Sequence, residues 1–226
     1  MSLAVINEQN LHDIADAIRI KNGTENTYTP GQMASAIENI PTGENKLPGV
    51  VDGSVTTITA EDLVDATKIK DYAFDNCINL ISVVIPDSVT SIGRNAFNGC
   101  SSLTSTIIGN GVTNIGDEAF HNCTSLTSII IGNSVTNIGS MAFWDCDSLK
   151  SITLPNSVTS IGQFAFYDCS LFTTMTILAT TPPTLPDTSS LGGKIQTIYI
   201  PHGTLSAYQT AKNWSSFSNK FVELPA

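Results

Sequence analysis

The sequence predicts an α/β fold in which a β-rich solenoid carries a short N-terminal helical module and a C-terminal cap. The phrase Ile-x-x-x-Ala-Phe-x-x-Cys occurs five times and ends at every cysteine of the chain. The cysteines lie 23 residues apart, at Cys77, Cys100, Cys123, Cys146 and Cys169. A β-rich segment follows each of them. A fixed period of this length is typical of a solenoid whose coils stack on their neighbours.

Residues 1–45 differ from the repeats and predict two short helices. Leu11, Ile14 and Ile18 recur at helical spacing, and a second apolar stripe follows later in the segment. Helices this short are marginal when isolated, so their apolar faces need a partner. We therefore expect an attachment module that packs on the solenoid, on another copy of the chain, or on a larger assembly.

Residues 46–70 are expected to form an N-terminal cap and a degenerate first repeat. An acidic cluster begins here and consists of Glu61, Asp62, Asp65, Asp71 and Asp75. The oxygen-ligand spacing of a calcium loop is absent, so we interpret the cluster as a solvated capping face; the alternative is a cation site.

Residues 71–177 form the repeat array, and each copy should make one coil with two extended pieces. A first strand follows the cysteine, a Pro or Gly turns the chain, and a second extended piece reaches the repeat isoleucine. We expect Ala-Phe-x-x-Cys to form a helical turn that brings the chain back. The side chains predicted to point inward in one coil are Val89, Ile92, Ala96, Phe97, Cys100, Leu103, Thr106 and Ile108.

Residues 178–226 have the composition of a C-terminal cap, which a solenoid needs to cover its apolar end. A Pro-, Ser- and Gly-rich loop leads to a predicted strand over 195–200 and a predicted helix around 205–212. Trp214 and Phe217 follow that helix.

The five cysteines indicate packing rather than redox or metal chemistry, because their spacing is the repeat spacing. A thiol at the same inward position of every coil behaves as a small buried hydrophobe. The alternative is a disulfide between adjacent coils.

Charge excludes nucleic acid as a partner. The formal charge is −10, and Arg94 and Lys150 are the only Lys or Arg residues between positions 71 and 177. Nucleic-acid binding requires clustered basic side chains. No stretch reaches the roughly 18–20 apolar residues that cross a bilayer, so membrane insertion is not expected either. The start of the chain lacks the features of a secretory signal.

No arrangement of residues indicates catalysis. His12, His121 and His202 lie in unrelated segments, and a nucleophile–base pair cannot be located. The sequence also lacks a phosphate-binding loop and metal-ligand spacing. We predict no enzyme activity, no catalytic residue, no cofactor and no metal site.

The repeats resemble a known family. The stretch SLTSIIIGNSVTNIGSMAFWDC is similar to the BspA-type leucine-rich repeat, and IYIPHGTLSAYQTAKNWSSF resembles the C-terminal caps of that family. The resemblance implies a right-handed curved leucine-rich-repeat solenoid that binds partners at cell surfaces, often as an adhesin. It implies no enzyme activity.

The N-terminal stretch LHDIADAIRIKNGTENTYTPGQMASAIENI has a different resemblance. It is similar to short helical modules in tail and baseplate proteins of phages that infect Gram-positive bacteria. This resemblance implies a virion location, with homo-oligomer or virion assembly through residues 1–45, and the repeat resemblance implies a bacterial cell surface.

Two outward surfaces are candidate binding sites. Alternation along the first strand leaves an apolar strip, Val84, Ile107 and Ile130, beside a column of Ser and Thr. Such a strip can mark an interaction site, or its β-branched residues can serve strand propensity alone.

The second candidate is an aromatic ridge made of His121, Trp144, Phe164 and Tyr167, three of which directly follow a repeat phenylalanine. These rings could stack on sugars or anchor a protein. The alternative, which we favour from sequence, is that the cap covers the ridge through Trp214 and Phe217.

The predicted function is a non-enzymatic recognition or adhesion module that binds a host cell-surface protein or glycan through the repeats. The alternative is a structural spacer that has no ligand of its own.

Overall fold

A computed structural model describes residues 56–226, and the two predicted N-terminal helices lie outside the described residues. The predicted solenoid is confirmed: the coils contribute first and second strands, and most strands pair in parallel with their counterparts in the neighbouring coils. The strands are β1 (Thr57–Ile58), β2 (Ser82–Ile85), β3 (Ser91–Ile92), β4 (Ser105–Ile108), β5 (Asn114–Ile115), β6 (Ser128–Ile130), β7 (Asn137–Ile138), β8 (Ser151–Leu154), β9 (Ser160–Ile161), β10 (Thr174–Ile177), β11 (Thr197–Ile200) and β12 (Phe221–Glu223).

The pairing register equals the sequence period. Ser82 pairs with Ser105 and Ser105 with Ser128, each 23 positions further along the chain. The second strands form one sheet, β3-β5-β7-β9, in the same register. Side chains of equal position therefore lie directly above one another, and the sequence period defines columns on the surface and in the core.

The core is a continuous column along the solenoid. All eight side chains predicted to point inward in the second copy are buried. The repeat phenylalanines Phe74, Phe97, Phe120, Phe143 and Phe166 stack with ring centroids 5.0–5.4 Å apart and nearly parallel planes. Since no coil can bury its apolar face alone, this column holds the array together.

The predicted helical turn at Ala-Phe-x-x-Cys is wrong. Along this turn, backbone N–H groups alternate between acceptors in the next coil and acceptors in their own. The Phe97 N–H donates to the Ala119 carbonyl of the next coil at 2.8 Å, whereas the Cys100 N–H donates to the Phe97 carbonyl of its own turn at 3.3 Å. A helix would use both N–H groups internally. The residue before each Ala and the residue before each Cys instead have positive φ, as Asn95 (54°) and Gly99 (69°) do.

All five cysteines are buried and none forms a disulfide, which confirms the packing interpretation. They also do something that the sequence did not indicate. Cys123 and Cys146 donate from Sγ to the carbonyl oxygens of Phe97 and Phe120 in the preceding coil, both at 3.2 Å. Burial raises the pKa of both thiols above the ordinary value.

We expect none of the five thiols to react with a disulfide-exchange reagent in the native protein. Burial keeps the reagent away from all five sulfur atoms. In addition, the raised pKa of the Cys123 and Cys146 thiols lowers the fraction of thiolate, which is the reactive form. In denaturant without reductant, five equivalents should react at once, because none of the five cysteines forms a disulfide. A count below five in denaturant would show that a disulfide had formed.

The cap adds strands to the sheet formed by the first strands of the coils and covers the end of the core with aromatic side chains. Sheet β8-β10-β11-β12 extends past the repeats. The cap also contains the helix α1, which spans Leu205–Thr210, and two 3₁₀ turns, which span Thr188–Leu191 and Ser215–Phe217. Tyr208 and Trp214 are buried and donate hydrogen bonds to Ala179 O (2.7 Å) and Pro183 O (2.6 Å).

The acidic cluster is only partly a solvated face. Glu61, Asp65 and Asp71 are exposed as predicted. Asp62 is buried, and its carboxylate accepts from the Thr59 N–H (2.8 Å) and hydroxyl (2.7 Å). This reciprocal contact caps the turn. Within residues 56–226, no group of three or more His, Cys, Asp or Glu side chains could hold a metal ion.

The sheet formed by the first strands of the coils is interrupted between β6 and β8, which do not pair. A recess of about 300 Å³ opens there, lined among others by Ile129, Ile130 and Thr153. Ile129 is half-buried, whereas Ile152 at the same position of the next coil is buried. In the part of the chain that is described, no helix is long and apolar enough to span a membrane.

Candidate ligand-binding surface

The structure brings the four residues of the aromatic ridge together. The Trp144 ring lies at its centre, with ring centroids of Tyr167 at 5.4 Å, Phe164 at 5.6 Å and His121 at 5.7 Å. Phe164 and Tyr167 meet edge to face at 5.2 Å. Because equal positions of successive coils stack, residues 23 apart in sequence become one continuous surface.

Trp214 and Phe217 of the cap do not contact the ridge. The rings of Trp214 and Phe217 contact each other, and Trp214 also contacts Tyr208 and Phe221. Within residues 56–226, no ring contact joins these cap side chains to the ridge. The interpretation that Trp214 and Phe217 cover the ridge is therefore wrong; they form the core of the cap instead.

The ridge side chains differ in exposure. Tyr167 keeps 39% of its surface exposed, while Trp144, Phe164 and His121 are half-buried. Half-buried rings are held in place by their neighbours and still present an edge or a face to solvent. Such preorganised aromatic side chains are suited to anchoring a ligand, since little conformational freedom is lost on binding.

Phe164 has a backbone conformation that its own side chain disfavours. It precedes the repeat Ala and has a φ of 58°, as Met141 does at 56° in the coil before. The second copy has Asn95 at this position, a residue type that tolerates positive φ. A bulky residue in this region costs on the order of 1 kcal/mol. The local backbone therefore does not explain why a phenylalanine occupies position 164. The contacts of its ring with Trp144 and Tyr167 do explain it.

Ionisable groups flank the N-terminal end of the ridge. The Glu118 carboxylate pairs with the Arg94 guanidinium at 2.7 Å, and its other oxygen lies 3.9 Å from Nδ1 of His121. Arg94 thus pairs with a carboxylate one coil away from it. This ion pair is exposed on the Arg94 side and contributes little to stability.

The apolar strip has the predicted geometry. Val84, Ile107 and Ile130 are register partners on the outer face of β2, β4 and β6. Ile107 is 43% and Ile130 57% exposed, and Val84 is half-buried. Ile130 also lines the recess between β6 and β8. Val84, Ile107 and Ile130 carry neither a charge nor an aromatic ring, so the strip offers a ligand fewer kinds of contact than the aromatic ridge.

Sequence reasoning missed a polar ladder on the second sheet. In the last four copies the residue before the repeat isoleucine is Ser91, Asn114, Asn137 or Ser160. The last three of these hydrogen-bond in series: Asn137 donates to Asn114 at 2.7 Å, and Ser160 donates to Asn137 at 2.6 Å. The recurrence of Ser and Asn at this position was the available signal. These side chains satisfy one another, so the ladder stabilises the stacking of coils.

Comparison with known proteins agrees with this architecture. The BspA type leucine-rich repeat region matches residues 67–182 in six copies. Among solved structures, the chain is similar to the leucine-rich repeat protein of T. pallidum, with 29% identity over 69% of this chain and 76% of that one, at a TM-score of 0.52. No match is found among curated proteins.

A second solved structure to which the chain is similar is the pneumococcal vaccine antigen PcpA. The identity is 16%, the TM-score is 0.64, and the match covers 76% of this chain and 42% of that one. At this identity the likeness shows the fold alone.

The matched residues make up about half of the chain and coincide with the stacked coils. Repeat solenoids of this kind are typically non-enzymatic and act as binding modules, because stacking creates an extended surface. The chain belongs to the BspA type leucine-rich repeat family.

Proposed function

We propose that this protein is a recognition module that binds a host cell-surface protein or glycan through the aromatic ridge. The observation that carries the proposal is the ring cluster around Trp144, which is partly exposed and, within the described residues, has no ring contact with Trp214 or Phe217. Aromatic side chains are common anchors of binding sites for sugars and proteins. The apolar strip on the first sheet offers only aliphatic contacts and is therefore the weaker candidate.

The location that we propose is a bacterial cell surface or a phage tail, with residues 1–45 as the attachment segment. The repeat family supports the cell surface. The tail location is supported by the resemblance of the N-terminal stretch to phage helical modules, and a homo-oligomer or virion assembly through this segment follows from it.

Binding to intact Gram-positive cells tests the proposed function. We expect labelled protein to bind in a saturable way, and Trp144→Ala combined with Tyr167→Ala to weaken binding by roughly 30-fold, as expected when two anchoring rings are removed. Ile107→Ala/Ile130→Ala, on the apolar strip, is the matched control and should bind as the unaltered protein does.

Phe164→Asn separates binding from stability. Asn is suited to the φ of 58° at this position, so relief of the backbone offsets the lost ring contacts, and the free energy of unfolding should change by less than about 1 kcal/mol. Cell binding should still fall. If no host cell is bound at all, the module is a spacer; if the ridge variants bind unchanged, the ridge is not the site.

A further inference from the structure

The two coils that supply most of the aromatic ridge also supply a group of carboxylates. The position before each repeat cysteine is neutral in the first three copies and acidic in the last two, where Asp145 and Asp168 stand. Both directly follow a ridge ring, Trp144 and Tyr167. Backbone pairing joins the two coils at this point, since the Asp145 N–H donates to the Tyr167 carbonyl at 3.2 Å.

A third carboxylate, Asp147, lies close by. It accepts hydrogen bonds from the backbone N–H (3.3 Å) and hydroxyl (2.5 Å) of Ser170. The pKa of Asp145 is raised, first by its partial burial and then by the negative charge of Asp168, with Asp147 adding to it and His121 opposing it. The carboxylates therefore repel one another beside the ridge.

No basic side chain of the described chain forms a salt bridge with these carboxylates, although the charge interaction with His121 offsets part of the repulsion at Asp145. Within residues 56–226, Asp145, Asp147 and Asp168 have no Lys, Arg or His within salt-bridge distance. Arg94, which lies in an earlier coil, is paired with Glu118. The surface around the rings is consequently negative as well as aromatic.

We propose that the aromatic ridge binds a basic segment of a partner protein, with an arginine or lysine side chain over Trp144 and Tyr167 and its charge against Asp145 and Asp168. A guanidinium stacks on aromatic faces and pairs with carboxylates at the same time. A neutral sugar would use the rings and leave the repulsion in place. This inference rests on the proposed function and assigns the ridge a chemical class of ligand.

The probe is a capped octapeptide of alternating arginine and glycine, compared with the same peptide in which citrulline replaces arginine. Citrulline keeps the shape of arginine and lacks its charge. Affinity for the full chain is measured by calorimetry at low and at physiological salt. We expect the citrulline peptide to bind at least about tenfold more weakly, and the arginine peptide to lose affinity as salt screens the carboxylates.

Two double variants locate the effect. Asp145→Asn/Asp168→Asn should weaken binding of the arginine peptide by about tenfold or more and remove most of the salt dependence of its affinity. Asn occupies the same position in two earlier coils, at Asn76 and Asn122, with φ of 54° and 58°, so the fold tolerates it. The control, Asp65→Asn/Asp87→Asn, removes the same charge from exposed sites in the first coils and should leave affinity unchanged.

The outcomes separate this inference from the proposed function. Equal affinity for the arginine and citrulline peptides, no binding of either, or unchanged affinity in Asp145→Asn/Asp168→Asn overturns the basic ligand. If cell binding nevertheless depends on Trp144, the recognition function stands and the ligand is a neutral one such as a glycan. Loss of peptide binding in Trp144→Ala, together with the charge effects, supports the inference.

Discussion

Phe143→Ala is expected to lower the free energy of unfolding by about 3–5 kcal/mol. Phe143 is fully buried in the middle of the phenylalanine stack, with the Phe120 ring at 5.4 Å and the Phe166 ring at 5.3 Å. Truncation removes contacts with both neighbours and leaves a cavity, because the parallel strands of the adjoining coils hold the walls apart. Coils contact only their nearest neighbours, so the damage cannot be shared along the array.

Denaturant unfolding followed by circular dichroism measures this effect. Tyr167→Ala, which removes a ring of similar size from the surface of the ridge, is the control and should cost about 1 kcal/mol or less. A second sign is expected in Phe143→Ala: the transition should broaden or divide, as the coils on either side of the defect lose their coupling. A sharp transition with a loss below 1 kcal/mol would contradict a core that depends on the stack.

Trp214→Ala should be at least as damaging as Phe143→Ala, although Trp214 lies outside the repeats. The indole is buried among Tyr208, Phe217 and Phe221, and its Nε1–H donates to Pro183 O at 2.6 Å. The cavity costs about 3–5 kcal/mol, and a carbonyl left without its donor adds about 1–3 kcal/mol. Since the cap covers the apolar end of the solenoid, the last coils should lose protection from hydrogen exchange first.

The other tryptophan of the chain provides the comparison. Trp144→Ala deletes the same side chain from a half-buried surface position and should leave the unfolding midpoint close to that of the unaltered protein. Trp214→Phe keeps most of the packing and removes the hydrogen bond, so its loss should fall between the two. Equal losses for both alanine variants would mean that Trp144 is a core residue, and the ridge would then be unsuitable as a binding surface.

The period of the sequence predicted most of the fold because a strict 23-residue repeat constrains every coil in the same way. The inward positions, for example Val89 and Phe97, could be assigned from one copy and applied to all. What failed depended on contacts between coils. The turn before each cysteine is not helical because its N–H groups bond to the next coil, and this preference cannot be inferred from Ala-Phe-x-x-Cys alone.

The ridge was predictable in part. Stacking of equal positions brings Trp144 and Tyr167 together, and the sequence period indicates this. Whether the cap would cover them was not predictable, because Trp214 and Phe217 have no periodic counterpart and their packing depends on the tertiary fold of the cap. The positive φ of Phe164 was also hidden, although Asn at the same position in an earlier copy was a usable sign.

The stacking distance of the coils has a consequence for the geometry of attachment. Ring centroids advance by 5.0–5.4 Å per coil, close to the spacing of neighbouring strands in a sheet. Insertion or removal of one 23-residue unit would leave every inward and outward position unchanged and shift the ridge along the axis by that one step. The number of repeats thus sets the distance of the ridge from the first coil in uniform increments, independently of which side chains the ridge carries.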